Sequence, residues 1–121
     1  MIDSDRSWSG LILAGALVAA GLASAQPAYA QNNRCADEAA SIRRAEGQLP
    51  RLEVAPPDDQ QIVCITLETN ILFARRLAAH LAHCPRSPHA RNADAWQRTD
   101  SQYTARFEER RCKPAIRPYR G

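Results

Sequence analysis

Glycine is scarce in most of this sequence. Of the five glycines among 121 residues, only Gly47 and Gly121 lie beyond residue 21. A loop that cradles a phosphate needs several glycines close together, so loops of that kind are excluded. No Ser or Cys stands in a G-x-S-x-G turn, and no other catalytic motif is found. We therefore predict a protein without catalytic activity and without a cofactor; a small enzyme lacking these motifs remains an alternative.

Close cysteine pairs are also missing. The four cysteines stand at positions 35, 64, 84 and 112, with no C-x-x-C spacing, so a zinc site built on such pairs is not expected. An even number of cysteines in a small exported chain is typical of disulfides. We predict two of them.

No apolar run is long enough for a stable membrane anchor. Residues 11–25 form the longest one, and a helix needs roughly 20 apolar residues to cross a bilayer. That length suits a signal peptide, with small residues before two cleavage positions, Gln26 and Gln31. Because Pro27 would hinder the first cut, we predict a signal peptide over residues 1–30, and no integral span after cleavage.

Lysine is the rarest charged residue of the remaining chain. Removal of residues 1–30 takes away Arg6, Asp3 and Asp5 and changes the formal net charge from +3 to +4. Beyond residue 30, Lys113 is the only lysine among many arginines. This bias is typical of GC-rich bacterial genomes, so we predict a periplasmic location.

Three helical segments follow from periodicity and end signals. They cover about residues 34–46, 59–84 and 88–112, within a domain over residues 31–113 that precedes a flexible basic tail over residues 114–121. The first ends near Gly47, the second follows an Asp58-x-x-Gln61 capping pattern, and the third begins at Ser87-Pro88. These signals predict an all-α three-helix bundle.

The apolar residues of the middle helix form two stripes. The broad one contains Val63, Leu67, Ile71, Ala74, Leu77, Ala78 and Leu81, and the narrow one contains Ile65, Leu72 and Ala79. Two apolar faces indicate a helix packed between the other two. Core packing is also expected of Leu49, Leu52 and Val54 in the connector and of Ala93, Trp96, Tyr103 and Phe107 in the third helix.

Helix geometry limits the disulfide pairing. Cys64 and Cys84 lie on one helix about 30 Å apart and cannot bond each other. In an up-down-up bundle, the start of each helix lies beside the end of its neighbour. We therefore predict Cys35–Cys84 and Cys64–Cys112; the alternative, Cys35–Cys64 with Cys84–Cys112, would join opposite ends of antiparallel helices.

Histidines form the only metal-like group. His80 and His83 are three residues apart and can present two imidazoles on one helix face, with His89 as a third ligand beyond Pro85. A metal-binding protein using these three residues is the alternative function. Against it, Cys84 is needed for a disulfide and a helix C-terminus favours histidine through its dipole.

Basic residues occur in small groups. These are Arg43 with Arg44, Arg75 with Arg76, and Arg110 and Arg111 with Lys113. They can contact an anionic lipid, lipopolysaccharide or an acidic protein, whereas export argues against nucleic acid. We predict an exported periplasmic interaction protein that acts on an envelope protein or an anionic envelope surface, in the manner of a chaperone, an inhibitor or an immunity protein.

Overall fold

The structure, a computed structural model, describes residues 33–116. Three helices account for most of this range: α1 over residues 33–47, α2 over Gln60–His83 and α3 over Ala93–Glu109. Short 3-10 turns at Leu52–Val54 and Pro88–Asn92 lie in the two connections. Because residues 33–116 contain no strand, the prediction of an all-helical fold with three helices is confirmed. The predicted signal peptide lies outside the described residues.

Both predicted disulfides are present. Cys35–Cys84 joins the start of α1 to the residue that follows α2, and Cys64–Cys112 joins the start of α2 to the segment that follows α3. Further along α1, Ser41 accepts a hydrogen bond of 2.6 Å from Arg76. Residues further along α1 therefore contact residues earlier in α2, so these two helices are antiparallel.

Two apolar clusters form the core. The first contains buried Ile42, Phe73 and Leu77, and the second contains buried Val63, Leu67 and Ile71. The aromatic residues of α3 pack on these clusters as predicted, although all three remain partly exposed. Trp96 lies on the first cluster, with its ring centroid 4.6 Å from that of Phe73. Tyr103 and Phe107 lie on the second.

The narrow apolar stripe does not make the contact expected of it. Ile65 is 42% exposed, Ala79 is exposed and Leu72 is half-buried. The α1 residue Ile42 packs on Phe73 and Leu77 instead. The face of α2 toward α1 thus contains polar as well as apolar residues, and we call it the mixed face. Part of the narrow stripe remains in contact with solvent.

Polar side chains complete the mixed face because they find backbone partners. Asn70 is buried, and its Nδ2 donates to the carbonyl oxygens of Pro50 and Thr66 at 2.9 Å each. A buried amide with satisfied donors costs little compared with an unpaired one.

In the connector, Leu49 and Leu52 pack on the core as predicted. The expectation for Val54 is wrong, since it is 72% exposed.

The starts of α2 and α3 differ in detail from the predicted ones. Asp59, and not Asp58, is the N-cap of α2 and accepts a hydrogen bond of 3.1 Å from the Ile62 amide. The third segment begins with a 3-10 turn, where Ser87 Oγ accepts from the His89 amide at 3.3 Å. The α-helix proper begins five residues later than predicted, at Ala93.

The end of α3 comes at Glu109, three residues before Cys112. Two backbone hydrogen bonds close it: the Arg111 amide donates to the carbonyl oxygen of Glu108, and the Cys112 amide donates to the carbonyl oxygen of Phe107. This is the Schellman arrangement, in which the residue after the C-cap is left-handed and usually glycine. Here that residue is Arg111, with φ 57°. The turn directs Cys112 back toward Cys64.

The first residues after Cys112 are held against α2. Glu68 is a buried carboxylate whose Oε1 accepts hydrogen bonds from the amides of Ala115 at 2.9 Å and Ile116 at 3.0 Å. These two residues belong to the segment predicted as a flexible tail, and in the structure their amides are hydrogen-bonded to α2. Residues 117–121 lie outside the described part of the chain.

Candidate functional site

A carboxylate and two histidines meet at the end of the bundle that Cys35–Cys84 closes. Glu38 Oε1 lies 2.9 Å from His80 Nδ1 and 2.9 Å from His83 Nε2. An ionised carboxylate only accepts hydrogen bonds, so both nitrogens carry a proton in this arrangement. One oxygen atom from α1 therefore joins two side chains of α2. We call Glu38, His80 and His83 the Glu–His cluster.

Local sequence and helix register together build the Glu–His cluster. His80 and His83 lie in the last turn of α2, where a spacing of three residues places side chains on neighbouring positions of one surface. Glu38 stands about one turn after Cys35 on α1. The Cys35–Cys84 disulfide, with its Cα atoms 5.8 Å apart, brings that turn of α1 beside the end of α2.

His80 has a partner on each side of its ring. It is 2% exposed, and its Nε2 lies 2.8 Å from Ser87 Oγ. A serine hydroxyl can both donate and accept. The neutral ring with its proton on Nδ1 therefore accepts from Ser87 through Nε2, and the opposite tautomer donates to the same oxygen. Ser87 satisfies His80 in both states.

The structure does not place His89 in the Glu–His cluster, although the sequence predicts it as a third ligand. Its Nε2 lies 2.8 Å from the backbone oxygen of Ala39, so this nitrogen donates its proton to a carbonyl. The side chain is buried, and its ring centroid lies 6.1 Å from that of His80. The group of potential metal ligands instead consists of Glu38, His80, His83 and Cys84, whose ligand atoms all lie within 4.8 Å of one another. Cys84 is in a disulfide and offers no thiolate.

Glu38 is the functional candidate that sequence reasoning missed. It precedes His80 by 42 residues, so no local motif connects them. The signal lay in the disulfide prediction: if Cys35 pairs with Cys84 between antiparallel helices, the residue one turn after Cys35 must face the residue one turn before Cys84. Glu38 and His80 are those two residues.

A second candidate surface lies on the exposed side of α2. Ile62 and Ile65 are 43% and 42% exposed, and they are neighbours at three residues' spacing on the helix. The narrow stripe continues from Ile65 to half-buried Leu72 and exposed Ala79. We call Ile62, Ile65, Leu72 and Ala79 the α2 stripe.

Several of the grouped arginines make contacts within the chain. Arg75 Nε lies 3.5 Å from Asp100 Oδ1, and Arg76 donates to Ser41. Arg110 donates to the side chain of Gln60 at 3.2 Å and to the carbonyl oxygen of Pro57 at 3.1 Å. These arginines connect helices and the connector to one another.

None of the helices in residues 33–116 is both long and apolar enough to cross a membrane. Comparisons with protein-family models, with curated proteins and with solved structures find no match to this chain. Within residues 33–116, we infer function from the Glu–His cluster and the α2 stripe.

Proposed function

We propose that this chain is an exported binding protein that acts without catalysis on a partner protein of the bacterial envelope. Export is supported by the apolar run over residues 11–25 with small residues at two cleavage positions. It is also supported by two disulfides, Cys35–Cys84 and Cys64–Cys112, because such bonds form and persist in oxidising compartments. The periplasm meets both conditions.

The α2 stripe is the observation that carries the binding proposal. Isolated exposed apolar residues are common, but Ile62 and Ile65 are adjacent on one helix, and Leu72 lies two turns further along the same side. That helix is covalently tied to α1 near one end and to the segment after α3 near the other. A surface held in this way loses little conformational freedom on association, which favours affinity.

A protein partner is favoured over an anionic lipid or lipopolysaccharide. Among the grouped arginines, Arg75, Arg76 and Arg110 already make contacts within the chain, which leaves fewer of them to bind an anionic surface. The formal net charge of +4 after removal of residues 1–30 is also modest. Apolar contact through the α2 stripe then supplies most of the binding free energy.

A salt-dependent capture experiment tests the proposal. Tagged wild-type protein, the Ile62→Asn/Ile65→Asn variant and the Val54→Asn variant are incubated with envelope extract and washed at low and high salt. Val54 is the matched control because it is more exposed than either isoleucine and lies outside the stripe. We expect one protein to be retained by wild type and by Val54→Asn at both salt concentrations, and to be lost from the double variant, because packed apolar contacts are little screened.

Two results would contradict the proposal. Capture of anionic vesicles that disappears at high salt and does not depend on Ile62 and Ile65 would indicate lipid binding instead. Turnover of an envelope substrate that depends on a named side chain would indicate an enzyme. Export is checked in the same preparation by mass spectrometry of the protein from the envelope fraction, whose N-terminus should be Gln31; a chain that still begins at Met1 would argue against a cleaved signal.

A further inference from the structure

We propose that Glu38, His80 and His83 bind one Zn(II) ion, in addition to the protein contact proposed for the α2 stripe. Two imidazole nitrogens and one carboxylate oxygen are ligands that zinc takes in proteins. Zinc sites with three protein ligands keep a fourth position for water. The Glu–His cluster supplies this set from two helices, with one ligand atom from each residue.

The two distances from Glu38 to the histidines are close to those between the ligands of a tetrahedral ion. With ligand distances near 2.0–2.2 Å, tetrahedral ligands lie about 3.3 Å from one another. Glu38 Oε1 is 2.9 Å from His80 Nδ1 and from His83 Nε2, so each of these two pairs has to separate by about 0.4 Å. The ligand atoms of the two histidines lie within 4.8 Å of each other. His83 is 39% exposed and Glu38 is 23% exposed, which leaves both side chains room to adjust.

Protons are accounted for without an unpaired buried atom. Zinc binds the unprotonated nitrogen of a neutral imidazole, so both histidines must change tautomer: the His80 proton moves from Nδ1 to Nε2, and the His83 proton moves from Nε2 to Nδ1. His80 Nε2 then donates to Ser87 Oγ, which already lies at 2.8 Å. A hydrogen bond from the outer nitrogen to an oxygen acceptor orients a metal-binding histidine and fixes its tautomer. Ser87 thus has the position of a supporting residue.

The Cys35–Cys84 disulfide prepares the site before any ion arrives. It holds the start of α1 beside the end of α2, so the carboxylate need not be recruited from a distant part of a mobile chain. His80 is buried and forms the floor of the site, whereas His83 is open to solvent and lets the ion enter. Preorganised ligands lose less freedom on binding, which raises affinity.

Zinc titration of the oxidised protein tests the site. We expect one ion per chain at micromolar zinc by calorimetry, and a rise in the melting temperature with zinc, since a ligand that binds only the folded state stabilises it. His83→Ala and Glu38→Gln should each weaken binding by at least about 100-fold, more than the loss of a supporting residue would. Co(II) in place of zinc should show the visible absorption of a tetrahedral site in the wild type but not in His83→Ala or Glu38→Gln.

Two control variants test whether zinc binding is specific to the three ligands. Asp37→Asn removes the neighbouring exposed carboxylate on α1 and should bind zinc as the wild type does. His89→Gln keeps an amide donor for the Ala39 carbonyl and should also bind normally, because His89 is not a ligand here. Circular dichroism of every variant confirms that it is helical, so that lost binding is not lost folding.

The proposal is overturned by either of two outcomes. A wild-type protein that takes up no zinc at micromolar concentration has only a hydrogen-bonded connection between α1 and α2. Zinc binding that survives both His83→Ala and Glu38→Gln belongs to another set of residues.

Discussion

The two ends of the bundle are closed by disulfides of almost equal span but differ in chemistry. Cys35–Cys84 joins residues 49 apart, and Cys64–Cys112 joins residues 48 apart. Around the first lies the Glu–His cluster; we call this the histidine end. Around the second lie Val63, Leu67 and Phe107 of the apolar core; we call this the apolar end. A disulfide therefore supplies the same constraint to a potential ligand site and to a packed core.

The two ends also differ in how their polar groups are satisfied. At the histidine end, imidazoles and a carboxylate contact one another, and together they form the proposed zinc site. At the apolar end, side chains bond to backbone groups: Gln60 donates to the Arg110 carbonyl at 2.6 Å, and Glu68 accepts from Ala115 and Ile116. The hydrogen bonds at the histidine end join side chains of metal-ligand types, whereas those at the apolar end hold the backbone of residues 110, 115 and 116.

Removal of each disulfide gives the largest expected effect. Cys35→Ala/Cys84→Ala and Cys64→Ala/Cys112→Ala should each lower the free energy of unfolding by roughly 4 kcal/mol, because loops of equal length lose equal chain entropy. Urea unfolding at fixed pH measures both. Only the first variant should also lose zinc affinity, since it alone releases Glu38 from His80. Equal loss of zinc by both folded variants would remove the distinction between the ends.

Truncation of Glu68 gives an intermediate effect at the apolar end. Glu68→Ala should cost about 2 kcal/mol, because a charged acceptor of two backbone amides is lost. Hydrogen exchange of the Ala115 and Ile116 amides should become faster, while exchange near His80 should not change. Glu108→Ala, an exposed glutamate on α3, is the control. Unchanged exchange at Ala115 and Ile116 would mean that Glu68 does not hold this segment.

The smallest expected effect is a gain of stability. Arg111 has φ 57°, a conformation that costs a residue with a Cβ more than it costs glycine. Arg111→Gly should therefore raise the free energy of unfolding by about 0.5–1 kcal/mol. Lys113→Gly, two residues further on and outside the turn, should not stabilise the protein. A destabilised Arg111→Gly variant would show that the arginine side chain has a contact worth more than the backbone preference.

The disulfide pairing could be predicted because it depends on few quantities. Helix rise excludes Cys64–Cys84, and antiparallel neighbours place the start of one helix beside the end of the next.

The ends of the helices were less predictable than the disulfide pairing. Asp58 and Asp59 are both good N-caps, and residue type does not decide between them. The end of α3 depends on a left-handed arginine, which no local signal favours.

Buried polar residues were the least predictable part of the fold. Glu68 and Asn70, which are buried, and Glu38, which is half-buried, look like surface residues in the sequence, because a carboxylate or an amide leaves solvent only when it finds a partner. Those partners lie 42, 47 and 20 residues away in the sequence. The sequence pattern also predicts core packing for the narrow stripe with Ile65, whereas α1 packs on Phe73 and Leu77. A hydrophobic pattern shows which side of a helix is apolar, but it does not show which other element packs on that side.

The two disulfide-closed loops overlap, because Cys64 lies within the first loop and Cys84 lies within the second. This interleaving makes the chain hard to take apart by proteolysis. A single cut anywhere between Cys35 and Cys112 leaves two fragments joined by at least one S–S bond. One cut in the connector before α2 and another in the connector after it still leave every fragment attached. Only cuts in all three intervals between successive cysteines separate the cysteine-bearing pieces, so a nicked molecule keeps its covalent continuity.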